Sequence, residues 1–163
     1  METPEEQASI PPLLLLCPPR LLSRKWRYLG PMVAIAGGSV GLVGAFIQEV
    51  FHGSFLGPFV AGPMIEEALK PSGVYFLLAK WPRVLSSHLY TAILSALGGL
   101  TFGVLENIVY LNIYFPEHSP ELVLFLYTAG LALHTGCSFI VGFGVNRRLI
   151  ESVKGSIPFL SVN

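Results

Sequence analysis

Four long apolar stretches, joined by short polar connections, constrain this chain more than any other feature. They run roughly from Pro31 to Val50, Phe55 to Leu78, Leu85 to Tyr114 and Glu121 to Gly144. Each is near or above the ~20 residues that carry a helix across a hydrocarbon layer of ~30 Å. No water is present there to satisfy backbone N–H and C=O groups, so a crossing segment must be a helix or a strand of a closed barrel. Barrel strands are shorter and alternate in polarity, which these stretches do not. The expected fold class is therefore all-α: a polytopic membrane protein of about four transmembrane helices in a bundle, plus a short N-terminal interfacial segment. With 52% hydrophobic and 12% charged residues, the composition is too apolar for an ordinary soluble domain of this length.

The expected organisation is a flexible or interfacial leader over 1–30, a membrane core over 31–146 and a cytoplasmic tail over 147–163. The leader has acids before any base and only a short apolar run between prolines, so it does not read as a secretory signal. Leu21 to Tyr28, with Trp26 among Arg20, Arg24, Lys25 and Arg27, suits an interfacial anchor. Nine of the ten basic residues fall on one side of a four-span topology: Arg20, Arg24, Lys25 and Arg27, then Lys80 and Arg83, then Arg147, Arg148 and Lys154. The opposite loops, "QEVFHGSF" and "FPEHSPEL", have none, which predicts both termini on the cytoplasmic side. Formal net charge is zero, and no global basic field points to nucleic acid.

The tenth base is Lys70, in "PMIEEALKP", where Glu66 and Glu67 precede it within an apolar stretch. All ten acids are glutamates; seven sit at span ends or in loops, which leaves Glu66, Glu67 and Glu106 well within the spans, together with His134. An ionisable group near the bilayer centre costs a few kcal/mol or more, so such groups usually face the bundle interior and mark a functional site. Glu66 and Lys70 are four apart and Glu67 and Lys70 three apart, so the lysine can pair with either carboxylate. One acid is then left uncompensated, and two adjacent carboxylates in low dielectric titrate as a unit suited to acid–base chemistry. Pro71 leaves the Glu67 carbonyl without its usual helical partner and marks a kink or a polar, wetted spot.

The third stretch places Gly99, Gly103, Glu106 and Tyr110 on one stripe, with Phe102 beside it. Its small residues would admit a neighbouring helix and bring Glu106 against it. His134 and Ser138 share a face of the fourth stretch. Structural readings stand beside the functional one: a salt-bridge network for Glu66, Glu67 and Lys70, an interhelical hydrogen-bonding pair for Glu106 and Asn107, and a packing role for His134. Gly37, Gly38, Gly41 and Gly44 read as helix packing. Cys17 and Cys137 suggest neither a disulfide nor a metal knot.

"EEALK" (Glu66, Glu67, Lys70), "FGVLE" (Phe102, Glu106) and "HTGCS" (His134, Ser138), in that order on successive spans, resemble the EExxK, FxxxE and His-containing motifs of the PrsW family of intramembrane proteases. That family is related to CAAX-type and bacteriocin-processing membrane endopeptidases, and the resemblance covers about residues 60 to 145. It implies hydrolysis of peptide bonds in or next to transmembrane segments of membrane-anchored proteins such as anti-sigma factors. Glu66 and Glu67 would be the essential pair, one activating a water. Glu106 would orient that water or handle the proton of the leaving amine, and His134 would donate to the oxyanion or join the acid–base relay. Lys70, Phe102, Asn107 and Ser138 would support them. Related CAAX-type enzymes have His where this chain has Glu106, and Asn where it has Ser138. Many family members carry more spans, so a homo-oligomer would help this chain enclose its site. No cofactor is required by the sequence. A divalent metal such as zinc, if present, would draw on Glu67, Glu106 and His134.

Two other classes compete. Buried acids also build proton or cation relays in small transporters and channels, although no internal repeat supports that here. A non-catalytic membrane scaffold or immunity-type protein could retain the same fold.

Overall fold

The computed structural model describes residues 24–51 and 62–145. The expected leader up to residue 23, the loop and span residues 52–61 and the tail from residue 146, with Arg147, Arg148 and Lys154, lie outside the described residues. Within them the chain is helical and holds no strand, as expected of an all-α membrane protein. Helix α1 covers Arg24–Phe51, α2 Gly62–Leu69, α3 Ser72–Lys80, α4 His88–Val109, α5 Pro120–Phe125 and α6 Leu131–Gly144. A π turn over Tyr110–Tyr114 prolongs α4, and another over Leu126–Gly130 joins α5 to α6.

Three helical segments among the described residues are long and apolar enough to cross a membrane: Tyr28–Ile47, His88–Tyr114 and Pro120–Gly144. The second expected span differs. Where a helix kinked at Pro71 is expected to run on to Leu78, α2 and α3 are separated by a turn at Lys70 and Pro71. Proline has no N–H to offer the Glu67 carbonyl, and its ring excludes a regular turn before it. The Lys70 N–H still closes α2 on the Glu66 carbonyl at 2.9 Å, while the Pro71 carbonyl accepts from Val74 and Tyr75 at 2.8 and 3.1 Å and so starts α3. The sequence predicts a kink at this proline, and the structure makes it a full interruption.

Serines start the two long helices that follow. The Ser87 hydroxyl accepts from the Tyr90 N–H at 3.1 Å, and Ser119, followed by Pro120 in the first turn, accepts from Leu122 at 3.3 Å. Each satisfies an N–H that the first helical turn leaves without a partner. Helix α4 is the central element, packed on α1 along one flank and α6 along another. Glycine lets the backbones meet: a Cβ at Gly38 would strike the Gly98 carbonyl, and one at Gly73 the Val33 carbonyl. Ala34, Val74, Leu77, Leu78, Val84 and Leu94 form the apolar core where α1, α3 and α4 converge. The polar groups gather beyond it, around Phe102.

Candidate active site

The broken second span sets the first half of the site. Lys70 ends α2 with only 2% of its side chain exposed, and its Nζ lies 2.5 Å from Glu67 Oε1 and 3.8 Å from Glu66 Oε2. Both spacings expected from the sequence are thus used at once, with Glu67 held closely and Glu66 loosely. The ammonium also stands over the Phe102 ring, 4.8 Å from its centroid. A desolvated cation gains from the negative face of such a ring. Glu67 Oε2 is buried without a hydrogen-bond partner among the described residues.

Helices α4 and α6 supply the second half. A side chain at Gly99 would collide with Ser138 and the His134 carbonyl, and one at Gly103 would come within 3.0 Å of the His134 ring. The two glycines therefore let α6 close on α4, and Glu106 Oε2 meets His134 Nε2 at 2.9 Å. Phe102, fully buried, touches both halves: its ring centroid lies 5.8 Å from that of His134 and 4.8 Å from the Lys70 ammonium. Glu66, 26% exposed, feels the charges of Glu106 and His134 as well as those of Lys70 and Glu67. The result is a string of alternating charge and polarisable ring across three segments, with Glu66 the carboxylate least tied to any one partner.

The structure brings Glu66, Glu67, Lys70, Phe102, Glu106 and His134 together. Asn107 and Ser138 stand apart from the carboxylates. Asn107, 2% exposed, donates from Nδ2 to the Leu126 carbonyl at 3.0 Å, which makes it an interhelical hydrogen-bonding residue. Ser138 is wholly buried against Gly99, and its hydroxyl has no partner among the described residues. Ser95, also buried and without a partner, was not singled out by the sequence, since a lone serine in an apolar helix carries no signal of burial. Tyr110, expected on the Glu106 stripe, packs with Tyr114 and Phe115 at centroid distances of 5.5 and 6.1 Å.

Carboxylate oxygen and imidazole nitrogen are suitable donors for zinc or a similar ion. Among the described residues, however, no three His, Cys or Glu side chains converge in a way that could hold one. The His134 nitrogen that would coordinate is bonded to Glu106, and Glu67 turns one oxygen to Lys70. The arrangement does not fit a bound ion.

What the site offers is acid–base chemistry: a loosely held carboxylate, a second one fixed by an ammonium, and a carboxylate–imidazole pair within hydrogen-bonding distance. A family model described as PrsW family intramembrane metalloprotease matches residues 26–160. No curated protein and no solved structure matches the chain.

Proposed function

Because the chain belongs to the PrsW family of intramembrane proteases, we propose that it is an integral membrane endopeptidase in which Glu66 activates water and the Glu106–His134 pair manages the proton of the leaving amine. Its substrates are membrane-anchored proteins, such as anti-sigma factors, cut in or beside their transmembrane segments. Both termini face the cytoplasm, as the distribution of basic residues favours.

Peptide hydrolysis needs a base for the attacking water, a proton for the departing nitrogen and a donor for the oxyanion. Glu66 suits the base: it is partly exposed, 3.8 Å from its ammonium, and close enough to the pair to feel both charges. Glu67 is spent on Lys70, whose ammonium stands over the Phe102 ring of α4. Glu106 orients the His134 ring, as a carboxylate does for a catalytic imidazole. His134 passes a proton to the amine as the peptide bond breaks, and the proton that Glu66 took from water restores His134 for the next turnover. The family description names a metalloprotease; in this proposal the base and the acid are assigned to side chains, because no three described His, Cys or Glu side chains converge on an ion.

The single observation that carries the proposal is the 2.9 Å bond between Glu106 and His134, made across two spans within electrostatic reach of Glu66. A proton or cation relay would need a file of such groups leading to either surface. Here they form one compact cluster beside an apolar core. The test is reconstitution in liposomes with a single-span substrate. Wild type cleaves it, Glu66→Gln does not, and cleavage that persists in Glu66→Gln removes the base from the proposal.

A further inference from the structure

We infer that Asn107 is a positioning residue, which holds open the π turn of the last span and so sets the face of α6 on which His134 stands. The inference rests on the reading of Glu106 and His134 as the acid–base pair. It concerns how that pair is aligned.

The π turn over Leu126–Gly130 ends one helical turn before His134. At its heart the Leu126 carbonyl accepts from the Leu131 N–H, five residues on. The same carbonyl accepts from Asn107 Nδ2 at 3.0 Å, reaching across from α4. Asn107 immediately follows Glu106, so neighbouring residues of α4 grip the last span at two points: Leu126, where the bulge begins, and His134 after it.

Helix geometry shows what the bulge achieves. Eight steps of an unbroken α-helix, the separation of Leu126 and His134, turn through about 800° and would leave His134 about 80° away from the Leu126 face. A π turn absorbs one residue, so the effective separation is about seven steps, and His134 returns to within about 20° of that face. With the extra residue looped out, both contact points therefore fall on nearly one face of the last span. The hydrogen bond from Asn107 favours that state, because the carbonyl it caps belongs to the bulge and Asn107 is itself buried. Without the bond the segment is free to relax to a regular helix, which carries His134 away from Glu106.

The test reads alignment without requiring catalysis, so it stands apart from the protease assay. In full-length protein in liposomes, with Cys17→Ser and Cys137→Ser, the pair Gly103→Cys and His134→Cys is oxidised and the crosslink measured. A Cβ at Gly103 would lie 3.2 Å from His134 Cβ, near the ~3.5–4.5 Å of a disulfide. The crosslink forms when Asn107 is present and is lost in Asn107→Ala. It returns when Ala129 is also deleted, because removing the extra residue lets a regular helix reach the same register. A crosslink unaffected by Asn107→Ala overturns the inference. So does a loss that deletion of Ala129 fails to restore, which would mark general unfolding, and so does absence of the crosslink in the parent. In active protein the same rescue is expected in kcat, with KM little changed.

Discussion

Replacing Lys70 with methionine removes the ammonium that Glu67 meets at 2.5 Å and Glu66 at 3.8 Å, while keeping the length of a side chain that is 2% exposed. The stranded carboxylate does not stay charged. It neutralises by taking a proton, and this caps the damage. At pH 7, protonating a carboxyl of ordinary pKa ~4.3 costs about 3.7 kcal/mol, a value within the range seen when one partner of a buried ion pair is removed. At pH 5 the same step costs about 1 kcal/mol, so the deficit of the variant grows by about 1.4 kcal/mol per pH unit between the two. The sign follows from proton uptake: the variant's folded state binds a proton that its unfolded state releases, so rising pH disfavours folding. Unfolding by SDS titration in mixed micelles at pH 5 and pH 7 measures this directly. The second arm is Lys70→Met with Glu67→Gln, which leaves a neutral pair and should regain most of the lost stability. A deficit that does not change with pH, or a double variant no more stable than the single one, would refute the reasoning.

Other expected outcomes follow from the same geometry. Gly38→Val drives a side chain into the Gly98 carbonyl and separates α1 from α4; a stability loss of about 1–3 kcal/mol or more is expected from such overpacking, read by the same SDS titration. Glu66→Gln should lower kcat by about 10²–10⁴ with stability little changed, whereas Glu67→Gln should cost stability first, since it strands the buried Lys70. These separate in parallel cleavage and unfolding measurements. Dialysis against a chelator should leave cleavage intact if the side chains act as arranged, and loss of activity restored by zinc alone would show that Glu106 and His134 part to take up an ion.

Much of the local geometry is legible in the residues. The three- and four-residue spacings of "EEALK" place Lys70 against both glutamates, and Pro71 marks the place where the helix fails. The glycines at 99 and 103 foretell the approach of α6 that brings His134 to Glu106. Other features are invisible in a single sequence because they depend on contacts distant along the chain. No composition signals the π turn at Leu126–Gly130, since it exists only in relation to the face α4 presents and to Asn107, nineteen residues earlier. Likewise Phe102 gives no hint that it touches both an ammonium and an imidazole. The second span reads as one apolar stretch by hydropathy alone, although its proline divides it into α2 and α3.

The central claim is that Glu106 and His134 work as one unit on a peptide bond. Cleavage of a reconstituted single-span substrate by wild type, Glu106→Gln, His134→Ala and the double variant tests it most directly. Residues that act as a unit are strongly non-additive, so the double variant should lose no more kcat/KM than the worse of the two single ones. Losses that multiply, or cleavage that survives both changes, would contradict the account.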